Sequence, residues 1–305
     1  MEILYQGVDI TEFVVISGCI VRDTCGCRCD SLDIEFENAA GWYGWQPAED
    51  DVLVVQQDGY DSGTMYLNTI LPEGGKYRIY ATALPCSARA KGYESYVGNT
   101  IDEIMSKCAA KTGMGYATYG IDGNAVIPYI ERNDESCAGL LGKLMTLEGA
   151  VLKCVNGLYT GIDILAAQDR DVSQTFVIKA DPQDARYSRS GSTFRRVTIK
   201  TPYAQASAED LSVPVAHMAL VTGKYPAMDA MQAGRWARGK LLHINRQCES
   251  VEISRAFNPG LTAMQRVDIT GGTDADGEWL VEDVSHDLIN LSSVATLRRC
   301  IYSIR

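Results

Sequence analysis

Residues that usually carry chemistry are scarce in this sequence. Only three histidines occur in 305 residues, His217, His243 and His286, and none has a metal-ligand or catalytic partner at a recognised spacing. No G-x-S-x-G elbow, P-loop or HExxH is present, so the chain offers no nucleophile elbow, phosphate cradle or zincin site. Long apolar runs are missing too. No uncharged stretch approaches the ~20 residues needed to cross a bilayer, and the opening MEILYQ lacks the basic start and apolar segment of a signal peptide. The expectation is a chain without a membrane span, made and assembled in a cytoplasm. Positive charge is also in deficit. A net charge of −11 with few clustered Lys and Arg argues against nucleic-acid binding, which needs phosphate neutralisation. Phenylalanine is rare, five residues against 16 tyrosines, a balance that suits large, partly wet interfaces better than a sealed monomer core.

What is present argues for more than one packed unit: 305 residues at 46% hydrophobic bury a sizeable core and are long for one domain. Ten cysteines are scattered through a chain with no export signal, which favours reduced thiols. Cys108, Cys137 and Cys154 sit among apolar neighbours and read as small core residues. Cys25, Cys27 and Cys29, in CGCRC, alternate as they would on one strand face, but no second ligand pair lies nearby for zinc. A tight turn before the strand at Leu32 is the better reading, and no metal or other cofactor is expected.

Other chemical readings have simpler competitors. Arg186, Arg189, Arg195 and Arg196 fall in ARYSRSGSTFRR and read as a solvated loop. Gly271–Gly277, GGTDADG, is acidic like a calcium loop but lacks the downstream bidentate Glu, so a hairpin turn is expected. Glu131, Asp134 and Glu135 supply carboxylates of the kind that cleave glycosides, yet beside a helix start they read as capping and dipole partners. Trp42, Tyr43 and Trp45 in GWYGWQP form either an aromatic platform for a sugar or partner, or a plug under a barrel end. His286 ends an alternating strand and reads as a structural histidine at a barrel rim. No catalytic, cofactor-binding or metal site is assigned, and no enzymatic activity is expected.

Along the chain, residues 3–84 read as successive short strands, at 13–16, 32–36, 52–56, 64–67 and 77–82, separated by turn residues such as DGYDSG at 58–63 and PEGG at 72–75. The period then changes. Thr100 with Glu103 has the form of a capping box, and Ile101, Ile104, Met105, Cys108 and Ala109 share a helical face that ends at Gly113. After a strand at 126–130, Asn133 or Asp134 caps a second helix with Leu140, Leu141, Leu144, Met145 and Leu147 as its stripe, closed by Gly149. Strands at 151–155 and 159–165 flank an Asn156-Gly157 turn. Strands follow at 176–180 and 195–200. Residues 202–214 read as an exposed excursion, and 229–244 as a helix weakened by Gly234 and Gly239. Four closing strands are read at 250–254, 267–270, 278–287 and 293–302.

Several of these stretches carry a resemblance. PGLTAMQRVDITGGTDADGEWLVEDVSHDLINLSSVATLRR at 259–299 resembles the closing β-barrel of the late control protein D family, the baseplate hubs of contractile phage tails and related particles. DSLDIEFEN at 30–38, WQP at 45–47, DVLVV at 51–55 and GTMYL at 63–67 resemble the opening barrel of the same hubs, and PYIERNDE at 128–135 fits a phrase before the second helix of their insert. The resemblance covers nearly the whole chain in order.

It implies a mainly β (α+β) fold with two tube-like β-barrels joined by an α/β insert. The first barrel would occupy residues 1–88 with a return segment at 151–192, the insert 89–150, and the second barrel 193–305 with a crossing helix near 229–244. It further implies a homotrimer in which the two barrels of each chain alternate around a pseudo-sixfold ring, adapting a hexameric tail tube to a trimeric spike. Implied partners are the tail tube or tube-initiator protein, the spike, the tape-measure protein and baseplate wedge proteins, within a virion or tailocin-like particle. Since the last strand lies close to Arg305, no fused lysozyme or needle domain is expected. The competing class is a cell-wall-degrading or carbohydrate-binding tail module.

Overall fold

The computed structural model describes residues 1–26, 28–37, 46–179 and 185–305. The chain is mainly β with several sheets, and the alternating pattern of its first eighty residues forms β1 (Glu2–Tyr5), β2 (Val8–Asp9), β3 (Ile16–Thr24), β4 (Ser31–Phe36), β5 (Val52–Gln57), β6 (Tyr60–Asp61), β7 (Met65–Glu73) and β8 (Lys76–Thr82). They pair antiparallel in the order β3-β4-β8-β7-β5-β1-β2, with β6 on β5. Period-two side chains put one face of each strand inward, and Ile3, Leu32, Ile34, Phe36, Leu53, Val55, Met65, Leu67 and Ile79 all meet in one core. The strand expected at 13–16 begins only at Ile16, preceded by a turn of 3-10 helix at Thr11–Phe13 that leaves Phe13 exposed.

Next come α1 (Cys86–Arg89), β9 (Gly92–Thr100), α2 (Ile101–Thr112), β10 (Gly115–Tyr119), β11 (Val126–Glu135), α3 (Cys137–Leu147), β12 (Ala150–Val155), β13 (Leu158–Asp163) and α4 (Ile164–Gln168). The capping box on α2 is present as read, and Gly113 closes that helix at φ 72°. The second helix starts later than expected. β11 keeps pairing with β9 as far as Glu135, through a bulge at Asp134, so the cap falls to Ser136, whose Oγ accepts from Gly139 N at 3.0 Å. Ladder pairing of Asn133 with Tyr93 and of Glu135 with Gly92 keeps the strand running on both sides of the bulged Asp134, so neither Asn133 nor Asp134 caps α3.

β12 and β13 turn through Asn156-Gly157, both at positive φ, and join β10 in a three-stranded sheet ordered β10-β13-β12. Strand pairing therefore keeps residues 150–163 with the insert. The cause is Gly149, which at φ 79° reverses the chain from α3 straight into β12. The rest of the expected return segment also pairs elsewhere: β14 (Gln174–Val177) and β15 (Ala185–Arg189) lie against strands near the C-terminus.

β16 (Phe194–Lys200), β17 (Gln205–Glu209) and β18 (Met218–Thr222) form a separate sheet, and α5 (Ala230–Arg246), capped by Asp229, packs on it and on α3. The stretch expected as an exposed excursion thus includes a paired strand with Ala208 and Asp210 buried; its small side chains let the helix lie close. At Gly239, α5 meets α3 so tightly that a Cβ would sit 2.2 Å from Leu147 O. α5 is in this way a strut between the β16–β18 sheet and the insert.

β19 (Glu249–Ala256), β20 (Arg266–Thr270), β21 (Gly277–Asp287) and β22 (Ser292–Arg299) complete the chain. Together they give a second unit, β14-β20-β21-β22-β19-β15, with its own core of Val251, Ile253, Val267, Ile269, Trp279, Val281, Val284, Ala295 and Leu297. The two units are one continuous sheet, because β21 also pairs with β3.

Candidate assembly surface and the seam between the units

β21 is the strand on which the architecture turns. Along one side it pairs throughout with β22; along the other its first half pairs with β20 and its second half, from Asp283 to Asp287, with β3. The exchange happens at a bulge between Val281 and Asp283. A bulge leaves one residue out of the ladder, and here it is Glu282, whose carbonyl accepts from Cys25 N at 3.1 Å. Its carboxylate is held by Arg298 Nε at 2.5 Å and Gln247 Nε2 at 3.0 Å. These partners, chiefly the Arg246 and Arg298 charges, keep the Glu282 carboxyl below the usual range against the upward push of burial.

The insert docks beside this bulge through a buried charge cluster. Lys153 projects from β12 onto Asp23 at the end of β3 and Asp30 just before β4, the latter at 3.0 Å. Asp30 also accepts from Thr24 N at 2.8 Å, and Gly26 N donates to Leu152 O at 3.1 Å. Burial outweighs the Lys153 charge and raises the Asp30 carboxyl to about 6; Lys153, facing two carboxylates, is held above its ordinary value. No sequence motif marked this cluster. The one signal available was a lone lysine inside the apolar run AVLKCV.

His286 lies inside the molecule and not at a rim. It is fully buried, with Nδ1 2.8 Å from Ser293 Oγ and Nε2 3.2 Å from Leu261 O. Tyr60 of the first unit and Phe257 of the second flank its ring at 4.7 and 5.5 Å. Burial holds its pKa below the ordinary value. A polar ring with both nitrogens satisfied joins the two cores where an unpaired polar group would be costly. His243 places Nε2 2.9 Å from Ala150 O, and the exposed His217 sits 3.1 Å from Thr193 Oγ1. The three are in separate places.

The remaining candidates are dispersed. Cys25 is buried with its thiol pushed up to about 12, and Cys29 is half-buried; Cys27 lies outside the described residues, as do Trp42, Tyr43 and Trp45. Among the described residues no group of three or more His, Cys, Asp and Glu side chains is arranged to hold a metal ion. Glu131 accepts from the Tyr129 hydroxyl, Asp134 pairs with Lys91, and Glu135 with Lys143, so these acids serve β11 and its neighbours and do not cap α3. Arg195 and Arg196, expected in a solvated loop, belong to β16 and share Glu209. Asp276 accepts from Gly272 N and Thr273 N within the β20–β21 turn, in agreement with a hairpin.

The surface offers strand edges instead. Among the described residues, β2 and β15 end the long path of the sheet, and β14 pairs only with β20. Large apolar side chains stand exposed on paired strands, notably Tyr93 and Val97 on β9 and Val177 on β14. No helix of the described residues is long and apolar enough to cross a membrane.

No family model and no curated protein matches the chain. Solved structures do. A tail protein from Neisseria meningitidis MC58 superposes with a TM-score of 0.71 at 11% identity, over 98% of this chain and 95% of that one. The 43 kDa tail protein of prophage MuSo2 from Shewanella oneidensis gives 0.69 at 13%, over 98% and 96%. An Escherichia coli component of the type VI secretion system, described as structurally similar to the T4 bacteriophage tail proteins gp27 and gp5, gives 0.65 at 10%, over 99% and 77%. At these identities the likeness establishes the fold: the chain has the fold of phage tail proteins from end to end.

Proposed function

We propose that the chain is a structural baseplate or tail hub protein of a contractile phage tail or phage-tail-like particle, a homotrimeric adaptor between a hexameric tube and a trimeric spike. The observation that carries this reading is the fusion of two β-units through β21 into one sheet whose outer strands, β2 and β15, have no further strand partner among the described residues. Open edges invite further pairing and must be covered to prevent uncontrolled association. A closed ring of three copies covers all of them, and two units per chain then present six edges. Tail tube or tube initiator, spike, tape-measure and wedge proteins are the partners of such a ring, and its site is the baseplate of a particle assembled in the host cytoplasm. The division into two tube-like barrels and an insert belongs to the same reading, as does the assignment of no catalysis to this chain.

The test is the native mass of the purified chain, alone and with its tube protein, followed by electron microscopy of the complex. A threefold ring with two superposable β-units per chain supports the reading. A chain that stays monomeric beside its tube protein, or particles with one or six copies per layer, overturns it, as does turnover of peptidoglycan by the pure protein.

A further inference from the structure

A cleft of about 390 Å³ opens where β21, α5, α3 and β12 meet, and its charged lining comes from Arg28, Arg246, Arg298, Glu282 and Asp283, with His243 beside them. Arg246, at the end of α5, is 2% exposed, and its Nε and Nη2 have no hydrogen-bond partner. Those two atoms form the side-on fork with which guanidinium binds carboxylate or phosphate through two parallel hydrogen bonds. An arginine cannot discharge itself by losing a proton, so N–H donors buried without an acceptor carry the cost of their lost hydration. Its charge helps to keep the Glu282 carboxyl ionised, but the hydrogen bonds of that carboxylate go to Arg298 and Gln247, so the fork itself is left without an acceptor.

We propose that this cleft binds a small oxyanion of the phosphate class, with Arg246 as its principal ligand and Arg28, on the exposed rim, as its second. Once the Glu282–Arg298 pair is set aside, Arg28 and Arg246 face only Asp283 across the cleft. Asp283 is itself drawn toward the neutral form by burial and by Glu282. On the far side of Cys25 the cluster of Lys153, Asp23 and Asp30 carries one net negative charge, which weakens the site without occupying it. Both fork atoms are shielded from solvent, so the anion meets them as the guanidinium turns about its terminal torsions. Two parts of the chain, α5 and the segment after β3, are then bridged by one ion.

The test is isothermal titration of inorganic phosphate into the intact protein at constant ionic strength, with chloride as the reference anion. Saturable binding is expected, lost in Arg246→Gln and weakened about 5- to 10-fold in Arg28→Ala, the effect of deleting one charge-assisted contact. Arg28 is exposed, so its variant folds and decides the matter even where Arg246→Gln does not. A parallel titration with dimethyl phosphate separates the sources: binding of phosphate alone assigns a free or terminal phosphate, and binding of both extends the site to a phosphodiester. No saturable binding, meaning a water-filled cleft, overturns the proposal, and so does an affinity unchanged in Arg28→Ala.

Discussion

Lys153 Nζ lies 3.0 Å from Asp30 Oδ2, joining the insert to the first β-unit across 123 residues of sequence. With Asp23 on its other side, the ammonium is the centre of a buried cluster that fixes where β12 sits relative to β3 and β4.

Removing the lysine leaves two carboxylates in a site built around a cation. Lys153→Met is expected to cost about 3–5 kcal/mol at neutral pH, the usual penalty for breaking a buried ion pair from one side. Urea unfolding measures it. Combining Lys153→Met with Asp23→Asn and Asp30→Asn recovers much of the loss, because apolar or neutral groups of similar size need no counter-charge.

Two groups near the seam give opposite slopes of stability against pH. Burial, against the pull of the Lys153 charge, raises the Asp30 carboxyl from 3.8 to about 6, so its contribution is present below pH 4 and is lost as pH rises through 6. His243 has a folded pKa of about 4 against 6.5, set by burial and by Arg246, so its contribution is present above pH 6.5 and is lost on acidification. Bordering the cleft, it is worth about 2 kcal/mol. The wild-type advantage over Asp30→Asn therefore grows from pH 6 to pH 4, while that over His243→Asn shrinks. Denaturant unfolding at intervals of half a pH unit compares the slopes, and two slopes of the same sign would contradict this assignment.

Two glycines in α5 should respond in opposite directions to alanine. At Gly234 the nearest atom to a new Cβ is Ala206 Cβ at 3.8 Å, an ordinary contact, so Gly234→Ala gains the usual ~0.5–1 kcal/mol of helix propensity. At Gly239 the new Cβ would lie 2.2 Å from Leu147 O and 2.5 Å from Gly149 N. Backbone cannot yield as a side chain does, and Gly239→Ala is expected to lose about 1–3 kcal/mol by forcing α5 from α3. Thermal melts of the pair decide it.

Val177 is 58% exposed on β14, a strand with one free edge among the described residues. On the proposed ring, Val177→Lys leaves the melting temperature nearly unchanged and suppresses assembly, because a lysine at an open edge opposes pairing by a second chain. Native mass at equal concentration reads the result, and a variant that assembles normally removes this edge from the interface.

The strand grammar was legible along the chain wherever period two was regular, as at Leu32, Ile34 and Phe36, and so were the capping box of Thr100 and Glu103 and the helix begun by Asp229. These are local decisions, set by side-chain alternation and by hydrogen bonds within four residues. Errors came where a distant partner overrode local preference. Asn133 and Asp134 are good caps in isolation, but pairing of Asn133 and Glu135 with β9 carries the strand past them, with Asp134 as its bulge. Residues 202–214 are polar enough for a loop, yet within them β17 pairs with β16 and packs against α5, which buries Ala208.

Local pattern was enough for a mainly β chain interrupted by helices near Thr100 and after Asn133, because periodicity is written residue by residue. Only the tertiary structure decided that β21 would change partners at Glu282, that Lys153 would find Asp23 and Asp30, and that His286 would be buried between the two cores. Each depends on which strands become neighbours, and a free energy gained between residues far apart in sequence leaves no pattern in a local window.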